Sequence, residues 1–130
     1  MTYFSDFDLD YSYGSEGEKI VDSLLIGGKT VEVKRDRRWS ETGNIYVETE
    51  CCSQYGNWYN SGITVSKADY YAFVLEELIL FTPTEILRTV IREKGRASKC
   101  HIPPNFSKGY LIRVSDIVLK VMLNTGNNYP

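Results

Sequence analysis

Apolar and polar positions change their period several times along the chain, and each change marks an element. Residues 31–36, Val-Glu-Val-Lys-Arg-Asp, alternate apolar with charged side chains, and in residues 44–50 Ile45 and Val47 alternate with Tyr46 and Glu48. A period of two is the pattern of a strand with one buried face. The two runs predict strands over 29–36 and 44–50, joined by a polar loop with Trp39 and Gly43 and paired as an antiparallel hairpin. In that hairpin Val31, Val33, Ile45 and Val47 share one face, and Glu32, Lys34 and Glu48 share the other.

Upstream, Ile20, Val21, Leu24 and Leu25 recur at helical spacing after a Ser15–Glu18 capping box, and Gly27-Gly28 ends the predicted helix. Residues 1–14 have no period and read as an N-terminal arm. Residues 51–62, rich in Gly, Asn, Ser and aromatics, read as an irregular loop, and Ser66 with Asp69 as a short helix start. Tyr70–Leu75 and residues 78–81 are aromatic and β-branched enough for two strands about a Glu76-Glu77 turn. Thr82-Pro83-Thr84-Glu85 opens a second helix as a capping box with proline at its first position. Ile86, Leu87, Val90 and Ile91 form its buried stripe, and Gly95 stops it. A basic loop over 96–109 with Pro103-Pro104, a strand over 109–114, a last helix capped by Ser115 and running through Leu123, and a frayed tail over 124–130 complete the reading. The order implies one domain over 1–130 of α/β (α+β) class, a small mixed β-sheet flanked by helices.

Composition narrows the partners. Hydrophobic residues make up 42% and charged residues 25%, ordinary for a chain that folds around one core. No apolar run reaches the roughly 18 residues a membrane span needs, and the N-terminus has neither a basic nor an apolar signal region, so a cytoplasmic protein is expected. The net charge of −2 conceals segregation: Arg88, Arg92, Lys94, Arg96, Lys99 and Lys108 crowd the later half. A local basic surface can hold phosphates on a slightly acidic molecule. Three cysteines, Cys51, Cys52 and Cys100, argue against a disulfide framework, and with His101 they lack zinc-ligand spacing.

Two carboxylates and an ammonium on one sheet face suggest a divalent-metal site with a lysine beside it. The residues that compose it, Gly17-Glu18 on the first helix, Val31-Glu32-Val33-Lys34 on a strand and Glu48 on its neighbour, resemble the PD-(D/E)XK nuclease superfamily. The resemblance covers residues 15–81. The run Thr-Gly-Asn-Ile-Tyr-Val-Glu ending at Glu48, followed by Ser-Gly-Ile-Thr at 61–64, is similar to phage members. In one register Glu32-x-Lys34 is the family's Glu-x-Lys pair and the acid on the preceding strand is missing. In the other, preferred, Glu32 fills the upstream acid position and Glu48 the glutamate position, with Glu50 where lysine is usual and Lys34 supplying the ammonium.

The resemblance implies a restriction-endonuclease-like core and a metal-dependent DNA endonuclease, selective for branched or nicked DNA by analogy with junction resolvases and active as a homodimer. Mg²⁺, with Mn²⁺ as substitute, would be held by Glu32 and Glu48, with Asp36 as a further ligand. Lys34 would orient or deprotonate the attacking water or hold the scissile phosphate, or form a salt bridge with Glu32 or Glu48. Glu18 is the remaining catalytic candidate, with helix capping as its other role. Lys29, Arg35, Arg37, Arg38 and Lys67 are candidates for nucleic-acid binding; Ser61 and Thr64 could touch phosphate or cap a loop, and Trp39, Trp58, Tyr55 and Tyr59 could stack on bases or pack. The alternative is a non-catalytic nucleic-acid-binding or protein-interaction module that keeps the nuclease fold.

Overall fold

The computed structural model describes residues 18–19, 27–36, 39–102 and 105–127. The predicted first helix lies outside them except for Glu18 and Lys19, which are helical and exposed; the arm over 1–14, Arg37, Arg38 and Pro103-Pro104 lie outside them entirely. Among the described residues the order is β1 (Val31–Arg35), α1 (Trp39–Thr42), β2 (Asn44–Cys52), β3 (Trp58–Asn60), a 3-10 turn (Gly62–Thr64), β4 (Tyr70–Leu75), β5 (Leu78–Pro83), α2 (Thr84–Lys94), β6 (Arg96–Ile102), β7 (Asn105–Arg113) and α3 (Val114–Asn127). The class is mixed α+β, as expected, built on two sheets of three and four strands.

The smaller sheet has the order β1-β4-β5 and the larger β3-β2-β7-β6. The expected β1–β2 hairpin is therefore corrected: β1 pairs in parallel with β4, and β2 pairs antiparallel with β3 and β7. The connection explains the difference. Its described part holds the helical turn Trp39–Thr42, Gly43 N donates to Trp39 O at 2.6 Å, and Gly43 leaves the turn at φ +73. Such a turn redirects the chain instead of folding β2 back on β1. β4, with Tyr71, Ala72, Phe73 and Leu75 buried, is apolar on both faces and takes β1 and β5 as its two neighbours. The β1–β4 junction is clamped where Asp69 N and Tyr70 N donate to Thr30 O at 3.0 and 3.1 Å, and Thr30 N donates to Asp69 Oδ2 at 3.0 Å.

The Glu76-Glu77 turn and the two strands around it form as expected, with β5 continuing to Pro83. Four other expectations are corrected. Helix α3 does not stop at Leu123 but continues through Asn127, into the tail expected to fray. The segment 51–62 contains the end of β2 and β3, turning through Gly56 at φ +85. The segment from Ser66 to Asp69 is not helical; Ser66 Oγ accepts from Ala68 N, and Asp69 serves the β1–β4 clamp. The basic segment 96–109 is not a loop but belongs to the β6–β7 hairpin, whose pairing runs from Arg96 opposite Leu111 to Ile102 opposite Asn105. Helix α2 ends before Gly95 as expected, but Thr82 stays on β5 and forms no cap. Thr84 instead anchors the helix start by donating from Oγ1 to Ala68 O at 2.6 Å.

One core joins both sheets to the two long helices. Ile45 and Val47 of β2, Tyr71, Phe73 and Leu75 of β4, Leu87 and Val90 of α2, Ile112 of β7 and Ile117 of α3 are buried together with Ile63 of the 3-10 turn. Burying each such side chain contributes about 1.5–3 kcal/mol. No helix among the described residues is long and apolar enough to cross a membrane.

Candidate functional site

In the parallel register Glu32 lies beside Tyr71 and Lys34 beside Phe73. The charged face of β1 thus continues the buried face of β4, while Val33 on the opposite face is 62% exposed. This inverts the expected arrangement of β1, whose valines share no face with Ile45 and Val47. Lys34 Nζ bonds Glu32 Oε1 at 2.9 Å. Across the gap between the sheets, Lys34, Tyr46, Glu48, Gly62, Tyr71 and Phe73 line one cavity of about 170 Å³. The structure therefore brings Lys34 and Glu48 to one cavity and Glu32 into contact with Lys34, although the residues belong to different sheets.

The backbone at Glu48 is fixed from both sides. β2 carries a bulge between Glu48 and Glu50 in its pairing with β7. Bulges re-aim side chains and recur beside functional sites. A Cβ on Gly62, whose φ is +53, would stand 2.1 Å from Glu48 O; a Cβ on Gly109, opposite Glu48 on β7, would stand 2.9 Å from Glu48 Cα. Only glycine allows both approaches. Ser61 N donates to Thr49 O at 2.9 Å, and Ser61 Oγ donates to Glu48 Oε2 at 2.9 Å, orienting the carboxylate. Arg88 of α2 holds the same segment from behind, donating to Ile63 O at 3.2 Å and Ser66 O at 2.8 Å while paired with Glu85. That engagement corrects the expectation that Arg88 is available to backbone phosphates.

Hydrogen bonding to Glu32 holds the Lys34 ammonium above the usual lysine range, against the opposing effect of desolvation and with help from the charges of Glu32, Tyr71 and Glu48. The sign is that of a raised pKa: the favourable interaction is complete below the free-lysine pKa and is lost only as pH rises through the folded-state value. Lys34 is thus a cation at neutral pH, suited to holding an anion and not to removing a proton. Burial likewise raises the pKa of Tyr46, whose hydroxyl shares a hydrogen bond with Ser107 Oγ at 2.9 Å.

The other sequence candidates lie elsewhere. Asp36 Oδ2 accepts from Tyr46 N at 3.1 Å and lines a separate cavity with Thr42, Asn44 and Cys100. Glu18 is exposed and does not line the Lys34 cavity. Lys29, Arg35 and Lys67 are exposed, and Thr64 Oγ1 donates to Thr49 O at 2.9 Å. Cys51 and Cys100 face one side of the large sheet through Ser107, and Cys52 and His101 face the other through Phe106, so the four cannot surround one zinc ion. Among the described residues no three His, Cys, Asp or Glu side chains form a metal-holding group. Sequence reasoning missed Gly62 and Gly109 as determinants of the site; the available signal was a glycine inside each otherwise side-chain-rich segment. Comparisons with family models, curated proteins and solved structures return no match for this chain.

Proposed function

We propose that the chain is a metal-dependent phosphodiester hydrolase acting on DNA, with Glu32, Lys34 and Glu48 as its working groups. One observation carries this reading: a protonated lysine and a hydrogen-bonded glutamate line one small cavity, with a second glutamate bonded to that lysine. The donor set fits a hard cation, since Mg²⁺ is commonly held by one or two carboxylates and completes its shell with water and substrate phosphate. Glu32 and Glu48 would hold it, and when bound it would supply Lewis acidity and a water of lowered pKa. Lys34 binds a non-bridging phosphate oxygen and stabilises the charge that grows there in the transition state. Ser61 keeps the Glu48 carboxylate from rotating out of the cavity. Asp36 stays an edge cap on β2 in this scheme, and Glu18 takes no part.

Exposed Lys29, Arg35 and Lys67 would neutralise the flanking DNA backbone, in the cytoplasm of the host cell if the chain is phage-encoded. Val118, Leu119, Met122 and Leu123 leave an exposed apolar strip on α3, where a second copy would pack if both strands of a branched substrate are cut. A second reading has its own support. Glu32 is already bonded to Lys34 and Glu48 to Ser61, an arrangement equally suited to a nucleic-acid-binding module without catalysis. Glu48→Gln separates the two. The hydrolytic reading expects Mg²⁺- or Mn²⁺-dependent nicking of plasmid and branched DNA by the wild type, lost in the variant with DNA binding retained. A wild type that binds DNA but cuts none with either ion establishes the second reading.

A further inference from the structure

The far half of the large sheet carries a surface that the cavity does not use. The strand register aligns Trp58, Cys52, Phe106 and His101 in one row across all four strands, and Asn60, Glu50, Lys108 and Lys99 in the next row. Directly opposed residues of antiparallel strands project to the same face, as do residues two apart on one strand, so all eight side chains share a face. Trp58 is 40% and Phe106 38% exposed, and His101 and Lys99 are exposed. The rings are held in place: His101 meets Phe106 edge-on at 5.8 Å, and Lys108 Nζ lies 4.1 Å from the Trp58 ring centroid. Beside them Glu50, Ala97, Lys99, Lys108 and Tyr110 line a cavity of about 420 Å³, within the range of ordinary ligand sites.

We propose that this face is a stacking platform for an unpaired nucleic-acid strand, with Phe106 and the Trp58 face that Lys108 does not cover receiving bases, Lys99 receiving a phosphate, and Lys108 leaving the Trp58 ring to receive another. Two sheet spacings set the strands of Trp58 and Phe106 roughly 10 Å apart, too wide for one base to bridge and suited to two bases of one extended strand. Every base offers a π-face, so aromatic rows bind single strands without sequence preference, whereas the stacked bases of a duplex hide those faces. The adjoining lysines supply the charge complementarity that an apolar protein partner would not require. Glu50 stands between Asn60 and Lys108 in the polar row and limits its net charge, which makes stacking the larger part of the binding. The inference goes beyond the hydrolytic reading and does not depend on it, since the platform and the cavity use different side chains.

The test is fluorescence anisotropy with a labelled oligothymidylate of about 15 nucleotides, in EDTA so that cleavage plays no part. The wild type is expected to bind it at least about tenfold tighter than a duplex of equal length. Trp58→Leu and Phe106→Leu should each weaken binding about tenfold, and Trp58→Phe, which keeps a ring, should restore most of the loss. Lys99→Ala with Lys108→Ala should flatten the dependence of log K on log salt by about 1.4. Unchanged binding in both leucine variants, equal affinity for the duplex, or no binding of the single strand overturns the proposal. Loss of cleavage in Glu48→Gln with this pattern intact leaves the platform standing, and the reverse result leaves the cavity standing.

Discussion

Replacing Gly62 by alanine tests the geometry that sets Glu48. The new Cβ would lie 2.1 Å from Glu48 O and 2.7 Å from Glu48 C, at a backbone φ of +53. Ordinary carbon contacts begin near 3.5 Å, so the 3-10 turn has to retreat by about 1 Å or more. The left-handed backbone alone costs an alanine about 1–2 kcal/mol. The retreat also strains or breaks the hydrogen bonds from Ser61 N to Thr49 O and from Ser61 Oγ to Glu48 Oε2, each worth about 1 kcal/mol. The expected loss is about 3–4 kcal/mol, or about 10–15 °C in Tm for a chain of this size. Gly56→Ala is the control: its φ is +85 with nothing within 4 Å of the added Cβ, so only the backbone cost of about 1–2 kcal/mol applies. Thermal melts followed by circular dichroism measure both variants, and nicking assays well below the melt measure what remains of function. If Gly62→Ala is no less stable than Gly56→Ala, the close approach to Glu48 does not exist and the reasoning fails.

The other predictions concern the carboxylate, the core and the sheet junction. Ser61→Ala removes the donor to Glu48 and is expected to lower cleavage about tenfold, at a stability cost near 1 kcal/mol, read from single-turnover rates and a urea melt. Leu87→Ala, at a site with 0% exposure, should cost about 3 kcal/mol in the same melt; a loss below about 1 kcal/mol would mean that α2 is not seated on the core. At Asp69, the Thr30 N–H bond first, aided by the Thr30 hydroxyl and Lys29, outweighs desolvation and depresses the carboxyl pKa. That contribution is complete above the free-aspartate pKa and disappears as pH falls through the lower folded-state value. Asp69→Asn should therefore flatten the acid limb of the stability profile, and an acid limb identical to the wild type's would remove the clamp from the account.

How far the sequence revealed this molecule depends on where each signal resides. The β4–β5 hairpin was legible because Tyr70–Leu75 is apolar on both faces and ends at a charged pair, Glu76-Glu77. Helix α2 was legible because Ile86, Leu87, Val90 and Ile91 recur every three to four residues before Gly95. The β6–β7 hairpin was hidden, since Lys99, which is exposed, and Lys108, which lies over the Trp58 ring, stand at strand positions yet resemble the side chains of a loop. Alternation identified β1 and β2 as strands but could not name their partners or, for β1, the buried face, because period two groups side chains by face without saying which face is covered or which strand lies alongside. The same limit applies at the site. Glu32, Lys34 and Glu48 stood out as ionisable residues on half-buried strands, yet Lys34 and Glu48 line their cavity from two different sheets and not from one hairpin, with Glu32 bonded to Lys34. The features that aim Glu48, namely the bulge, Gly62 and Gly109, depend on contacts between segments far apart in sequence.

In the proposed hydrolase, Glu32 and Glu48 share a divalent cation beside the Lys34 ammonium. Crystals soaked in Mn²⁺ and measured at the manganese absorption edge test it most directly. An anomalous peak is expected at the Lys34 cavity, within bonding distance of the carboxylates of Glu32 and Glu48, and it should vanish in Glu48→Gln. A manganese ion held only by other carboxylates, with that cavity empty, would contradict it.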